Sequence, residues 1–305
     1  MRAERPRDRA FARTVAFMLP LAGGAFGAVV AAWPGAAVGA FLGALLSVAA
    51  WRHFDRRSAQ RRAQLLTPFP DRWREYLLDH CDHYDRLPDH LRRRFEDDLR
   101  IFLLEKRITG IETAVTDELR LLVAASAVTL SVAWPDYEWE QLTEVLLYPQ
   151  AFDRDWSFEG DELVGQAHPW GTVILSVPSL VESFEDPDDA YHVGFHEFAH
   201  LLDVSQVGDA DQTRFDGIPA GLATEQARAW VEVAERERER LRKGRSVLDP
   251  YGEEDPVEFL AVAVEAFFEI PLDLRRHHQE LYAILKDYFA QDPAAWDDAR
   301  GLALD

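Results

Sequence analysis

Residues 193–203 read Val-Gly-Phe-His-Glu-Phe-Ala-His-Leu-Leu-Asp, and the placing of His196, Glu197 and His200 within them decides the reading of the fold. On a helix, residues four apart differ by about 40° around the axis and stand one turn apart. His196 and His200 can therefore present imidazole nitrogens to one ion. Glu197 sits beside them, within reach of a water on that ion. This is the chemistry of the His-Glu-x-x-His pattern. Asp186-Pro187-Asp188 offers a helix start, so the reading predicts a helix from about Pro187 to Leu202. Val193, Phe195, Phe198, Leu201 and Leu202 give it an apolar surround. The competing reading is two buried histidines with an unrelated glutamate between them.

A catalytic zinc takes a third protein ligand and keeps one open position. The stretch from Asp255 to Phe268 supplies two candidates, Glu258 and Glu265, in an otherwise nearly unbroken apolar run. They are seven apart and share a helix face. An unpaired buried carboxylate is costly, and a metal removes that cost. Asp255-x-x-Glu258 also fits a capping box, in which Glu258 would serve only its own backbone. Glu265 fits a partner for a ligating histidine equally well. Spacing alone leaves the two unranked. His192 lies four before His196 and reads as a packed or surface histidine. Asp203 follows His200 by three, as an imidazole partner or a helix-end residue. His80-Cys81-Asp82-His83 and His277-His278 read as surface.

Working outward toward the N-terminus, residues 14–51 contain no charged side chain. One straight helix of that length would run about 57 Å, far beyond a hydrocarbon core of roughly 30 Å. Trp33-Pro34-Gly35 divides it. The two halves carry Gly23 and Gly27, and Gly35, Gly39 and Gly43, small residues spaced for close helix approach in lipid. The expectation is a transmembrane helical hairpin. Arginines flank both ends, which predicts an inner (cytoplasmic) membrane location with the following domain in the cytoplasm. A cleaved signal peptide shares the Arg-rich start but leaves the apolar run 36–50 unexplained.

Charge is divided in the same place. Residues 1–66 hold ten arginines against three acidic residues, net +7, and residues 67–305 hold 23 basic against 51 acidic residues, net -28. A body so acidic argues against direct nucleic-acid binding. The basic residues after the hairpin suit a juxtamembrane helix facing anionic lipid. With one cysteine, Cys81, no intrachain disulfide can form, which favours a reducing compartment.

The remaining pattern is helical from Pro70 to about Arg107 and from Thr116 through Trp134. Short β-prone runs follow at 143–148 and 172–177, then helices at Thr224–Lys243 and from Pro256. Helices, a few strands and helices again predict an α+β fold with a small sheet. The expected organisation is a basic tail at 1–13, the hairpin at 14–51, a basic helix at 52–68 and a catalytic domain at 69–305. The strand at 172–177 is the candidate for pairing with an extended peptide.

Several stretches together resemble a known family. They are Phe195–Asp203, Leu248-Asp-Pro-Tyr251 through Glu258, and Leu281-Tyr282 to Gln291-Asp292-Pro293. Thr116-Asp-Glu-Leu-Arg120, Tyr148-Pro149 and Phe69-Pro70 with Trp73 support them. The chain is similar to the Mlc titration factor A family, the zinc peptidases also called DgsA anti-repressors, whose active site is similar to that of anthrax lethal factor. The resemblance implies a zincin-like domain with Zn2+ on His196, His200 and Glu258. It implies Glu197 as general base and Tyr251 as the hydroxyl that stabilises the oxyanion. The expected activity is peptide-bond hydrolysis by metal-activated water. The alternative is a membrane-tethered protein that sequesters a regulator, with structural or vestigial zinc. The family as a whole is soluble, so the segment 14–51 departs from its pattern.

Overall fold

The computed structural model describes residues 6–135, 137–151, 164–203 and 216–301. The first five residues of the basic tail expected at 1–13 lie outside these. The chain forms two compact units, Met1–Pro68 and Phe69–Asp305.

The first unit is a helical run, α1, Pro6–Leu66. It is not one rod. Residues 23 and 39 of a straight helix would stand about 24 Å apart. Here a Cβ added to Gly23 would lie 2.2 Å from the Gly39 carbonyl oxygen. The Ser47 hydroxyl donates to the Val15 carbonyl at 3.3 Å and to that of Gly43 at 2.9 Å. The chain folds back at Ala32, whose φ of 51° is left-handed. Only residues without a Cβ allow so close an approach of the two arms. Phe17, Leu21, Phe26, Phe41 and Leu45 point outward and are exposed. Ala32–Ala50, 19 residues, is long and apolar enough to cross a membrane, whereas the apolar helix Thr14–Val30 is shorter than a full span. At the far end the Thr67 hydroxyl donates to the Gln64 carbonyl at 2.7 Å, and Pro68 cannot continue the helix.

The second unit is mostly helical with one small mixed sheet. It begins with α2 (Asp71–His80), α3 (Asp82–Arg86), α4 (Asp89–Glu105), β1 (Arg107–Gly110) and α5 (Asp117–Ser131). Thr116 caps α5 by accepting from the Leu119 N–H. The sheet continues with β2 (Glu144–Tyr148), β3 (Gly165–Ala167) and β4 (Thr172–Ser176). Its order is β1-β2-β4-β3. The first three in space are parallel, and β3 is antiparallel to β4 with Gln166 opposite Ile174.

This order corrects one expectation. The strand at 172–177 has no free edge for a peptide, because β2 and β3 pair with its two sides. The edge beside it is β3. Strands β1 and β3 are too short, at four and three residues, to show a readable alternation.

The helices that follow are α6 (Val177–Glu185), α7 (Val193–Leu202), α8 (Thr224–Arg242), a 3-10 turn at Pro250–Glu253, α9 (Pro256–Glu269), α10 (Pro271–His277), α11 (Gln279–Phe289) and α12 (Pro293–Arg300). The helix expected at 187–202 begins only at Val193, and a separate helix, α6, precedes it. Pro187 disfavours helical backbone at Asp186, so α6 ends there. Asp189 accepts the Tyr191 N–H at 2.8 Å, Ala190 takes φ 68°, and α7 starts afresh at Val193. Three more helices follow the one that begins at Pro256 and close the unit.

α7 lies at the centre of the core. It packs on α5, α9 and the β3–β4 pair. Gly194 admits the close contact with α5, because a Cβ there would meet Ser126 Oγ at 2.2 Å. Phe198, Phe259, Phe267, Phe268 and Phe289 are fully buried around it. Each such ring contributes roughly 1.5–3 kcal/mol by leaving water.

Two readings of polar stretches are also corrected. Cys81 and His83 are buried, His83 edge-on to Phe268, rather than on the surface. His278 is buried too, while its neighbour His277 is exposed.

Candidate metal centre

The centre is built where α7 crosses α9. His192 caps α7, its Nδ1 accepting the Phe195 N–H at 3.1 Å. Its ring stacks on Phe195 and meets Phe184 edge-on, so it is a packed cap outside the helix. One turn on, His196 and His200 face α9. Asp255 caps α9, accepting from the Val257 and Glu258 N–H groups at 2.6 and 3.0 Å. The Glu258 carboxylate does not complete a capping box. It turns toward α7, with Oε2 2.9 Å from His196 Nε2 and 3.6 Å from His200 Nε2.

Among the described residues, His196, His200 and Glu258 form the one group of three such side chains whose ligand atoms all lie within 4.8 Å of one another. Imidazole nitrogen and carboxylate oxygen are the donors a borderline divalent cation prefers. The group therefore suits a metal ion by donor type as well as by spacing.

Glu265 stands behind it. Its Oε1 is 2.6 Å from His196 Nδ1, and its Oε2 accepts the His192 N–H at 2.7 Å. The two contacts fix the carboxylate, and the carboxylate fixes the imidazole with Nε2 aimed at the centre. Spacing alone had left Glu258 and Glu265 equivalent. The fold gives them the two nitrogens of one ring.

Glu197 lies on the adjacent face against the edge strand. The Ala167 backbone bonds its carboxylate. A Cβ at Gly165 would stand 2.4 Å from Glu197 Oε1, so a larger residue there would displace the carboxylate or β3. Its Oε2 is buried and accepts no hydrogen bond from the described residues. Burial pushes the Glu197 carboxyl up to about 8, against the opposing pull of His196. Burial likewise pushes His200 down to about 3. Burial also opposes charge on His196, but Glu265 and Glu258 on either side outweigh it and hold its proton well above the usual imidazole range.

Tyr251 sits in the 3-10 turn, whose N-terminal Asp249 accepts its N–H at 2.7 Å. Its ring centroid is 5.9 Å from that of His196, and it is partly exposed. Partial burial, then the nearby Glu258, push its phenol up to about 12.

Asp203 does not orient an imidazole. Its carboxylate accepts the N–H groups of Asp216, Gly217 and Ile218 at 2.9–3.1 Å and so ties the end of α7 to residues 216–218. Three features of the neighbourhood had no reading in the sequence. Gly165 carries no motif. Tyr191 lies within electrostatic reach of Glu265 and Glu197. Glu269, four residues after Glu265 on α9, is buried with its acidity suppressed by burial and by Asp189. Only Glu269 had a signal, as the third carboxylate to punctuate the apolar run of α9.

The profile of the glucose-regulated metallo-peptidase M90 family matches residues 54–290. An uncharacterized protein of Synechocystis sp. is 31% identical over 242 residues, which cover 74% of this chain and 86% of that protein. Mlc titration factor A of Edwardsiella ictaluri is 28% identical over 228 residues, 70% of this chain and 82% of its own length. The protein of that name from Escherichia coli strain 55989 is 27% identical over 209 residues, 63% and 76% of the two lengths. The segment 14–51 lies outside the family match.

Proposed function

This chain belongs to the family of glucose-regulated metallo-peptidases M90, and on that premise we propose that it is a zinc-dependent peptidase. The observation that carries the reading is the placing of His196 Nε2, His200 Nε2 and Glu258 Oε2 around one point, with Glu265 behind His196. Tetrahedral zinc ligands at about 2.0–2.1 Å stand about 3.4 Å from one another. The separations of 2.9 and 3.6 Å from Glu258 Oε2 to the two imidazoles bracket that value. The donor types and these two separations support zinc as the ion. When bound there, zinc supplies Lewis-acid polarisation of a carbonyl and acidification of water.

The chain's own residues do the rest. Glu197 takes a proton from the attacking water and returns it to the leaving amine. The Tyr251 hydroxyl donates to the oxygen on which negative charge develops. Glu265 holds His196 in the tautomer that leaves Nε2 free to ligate. Gly165 and Ala167 position the Glu197 carboxylate from β3.

We further propose that the two arms of α1 insert in the inner membrane, with both ends and the second unit on the cytoplasmic side. The supporting features are the apolar outer face of the arms, the length of Ala32–Ala50 and the arginines at both ends.

A second reading rests on the relatives. Several are named for titrating Mlc, a name that describes binding of a regulator. For this chain that reading is a tethered protein that captures a regulatory protein and has no use for Glu197. Glu197→Gln separates the two. The peptidase reading expects loss of cleavage of a diverse peptide library with zinc content unchanged. A zinc-loaded wild type that cleaves no peptide in the library supports capture instead.

A further inference from the structure

A second polar cluster lies outside the metal centre. His278, at the junction of α10 and α11, is buried between α8 and the loop that leads to Tyr251. Its Nδ1 is 2.6 Å from Glu237 Oε2. Its Nε2 is 3.1 Å from Ser246 Oγ and accepts the Val247 N–H at 3.4 Å. Arg240 holds the same glutamate at 2.9 Å and donates to the His277 carbonyl at 3.0 Å. The Val247 N–H donates to Nε2, which leaves the ring proton on Nδ1 facing Glu237 Oε2, with Arg240 Nη1 also 3.2 Å from that nitrogen.

Serine, histidine and glutamate in this order resemble a nucleophile with its base, but the surroundings point elsewhere. The histidine side chain is 0% exposed. Its Nε2 lone pair is shared with a backbone amide. Ser246 Oγ itself accepts the Leu248 N–H at 3.2 Å. His278 Nε2 and Ser246 Oγ are thus both turned onto backbone N–H groups of residues 247 and 248. The next residues carry the constraint forward. Leu248 is buried, Asp249 accepts the Tyr251 N–H, and Arg238 of α8 donates to the Gly252 and Glu253 carbonyls at 3.3 and 2.8 Å. Gly252 packs on Phe259 and Val262 of α9, with an added Cβ 3.4 and 3.3 Å from them. The segment 246–253 is thus pinned at its start by Glu237–His278–Ser246 and at its end by Arg238 and α9. Tyr251 stands between the two pins.

We propose that Glu237, His278 and Ser246 are positioning residues that hold the Tyr251 hydroxyl over the metal centre. This rests on the reading of Tyr251 as the oxyanion donor. A partly exposed phenol on a free loop would sample many orientations, and a donor that must be aligned in the transition state loses effect with each.

The experiment uses the full zinc-loaded chain and a mixture of internally quenched peptides. Ser246→Ala and His278→Asn are made singly and in a Tyr251→Phe background, with Ser246→Thr as the conservative variant. Ser246→Ala is expected to lower kcat about tenfold with KM unchanged, in line with the loss of one positioning hydrogen bond. Ser246→Thr restores it. In the Tyr251→Phe background neither variant lowers kcat further, because the group they position is gone. Amide exchange in the peptide spanning 244–252 rises about tenfold while α7 and α9 are unchanged. Losses that add to that of Tyr251→Phe, or exchange unaltered at 244–252, overturn the proposal. Labelling of Ser246 by a fluorophosphonate overturns it in favour of a nucleophile. If Tyr251→Phe alone leaves kcat intact, the reading of Tyr251 fails and the positioning role falls with it, a result distinct from additive losses.

Discussion

The Glu265 carboxylate bridges the two ends of one helical turn, with Oε1 2.6 Å from His196 Nδ1 and Oε2 accepting the His192 backbone N–H at 2.7 Å. It therefore ties the start of α7 to the ring that faces Glu258. Glu265→Gln keeps size and one hydrogen bond but removes the negative charge. Zinc affinity is expected to fall about 10- to 100-fold, while the thermal midpoint of the metal-free chain changes little. Competition with a colorimetric chelator measures the affinity. Unchanged affinity would remove Glu265 from the centre.

Gly165 bears on Glu197 through space alone. A methyl group there would sit 2.4 Å from Glu197 Oε1, well inside van der Waals contact. Gly165→Ala must shift either β3 or the carboxylate. Cleavage of a peptide library is expected to fall at least tenfold, since a displacement of about 1 Å is costly to a general base. Zinc content stays at the wild-type level. Wild-type cleavage by the variant would show that β3 does not hold Glu197.

These two cases mark how far the sequence could be read. His196, Glu197 and His200 were legible because four-residue spacing is a local property of a helix. The caps at Thr116 and Asp255 were legible for the same reason. The pairing of Glu258 with the imidazoles was not, because it depends on how α9 crosses α7, and only the resemblance to a family ranked it above Glu265. The edge strand β3 is three residues long and includes a glycine, so it has neither length nor pattern to announce it. His83 and His278 were misread as surface because each lies in a polar stretch, beside Asp82 or His277. His83 turns inward from α3, only five residues long, and His278 caps the junction of α10 and α11, so neither stretch is long enough to show a readable helical period. The break at Pro187 was readable in principle from the restraint a proline puts on the residue before it.

The burial of His83 has a consequence for acid stability. Burial, then the nearby Arg86, pushes its imidazole down to about 3, from 6.5. The unfolded chain therefore binds a proton that the folded one refuses between pH 6.5 and about 3. Stability is full above 6.5 and falls as pH drops through that window, by up to about 1.4 kcal/mol per pH unit. His83→Phe keeps an aromatic ring against Phe268 and Trp296 and removes the titration. Between pH 7 and pH 5 the wild type is expected to lose about 2 kcal/mol more than the variant. Urea unfolding at the two pH values measures the difference. Equal losses would mean that His83 titrates normally in the folded chain.

The arms of α1 give a direct geometric test. A Cβ at Gly24 would lie 3.5 Å from Ala40 Cβ, within the separation that a disulfide spans. Gly24→Cys with Ala40→Cys is therefore expected to close under mild oxidation into a single intrachain bridge, found by mass spectrometry of the digest. Cys81 is buried and does not compete. Gly39→Leu in the same background should largely abolish the bridge, since even its Cβ would stand 2.0 Å from the Gly23 carbonyl oxygen. The pair of results matters more than either alone. A bridge that survives Gly39→Leu would show that the cysteines meet by collision rather than by packing. Loss of the bridge on that one change ties the fold-back to the bare glycine backbone, with Leu45 and Phe41 left facing outward.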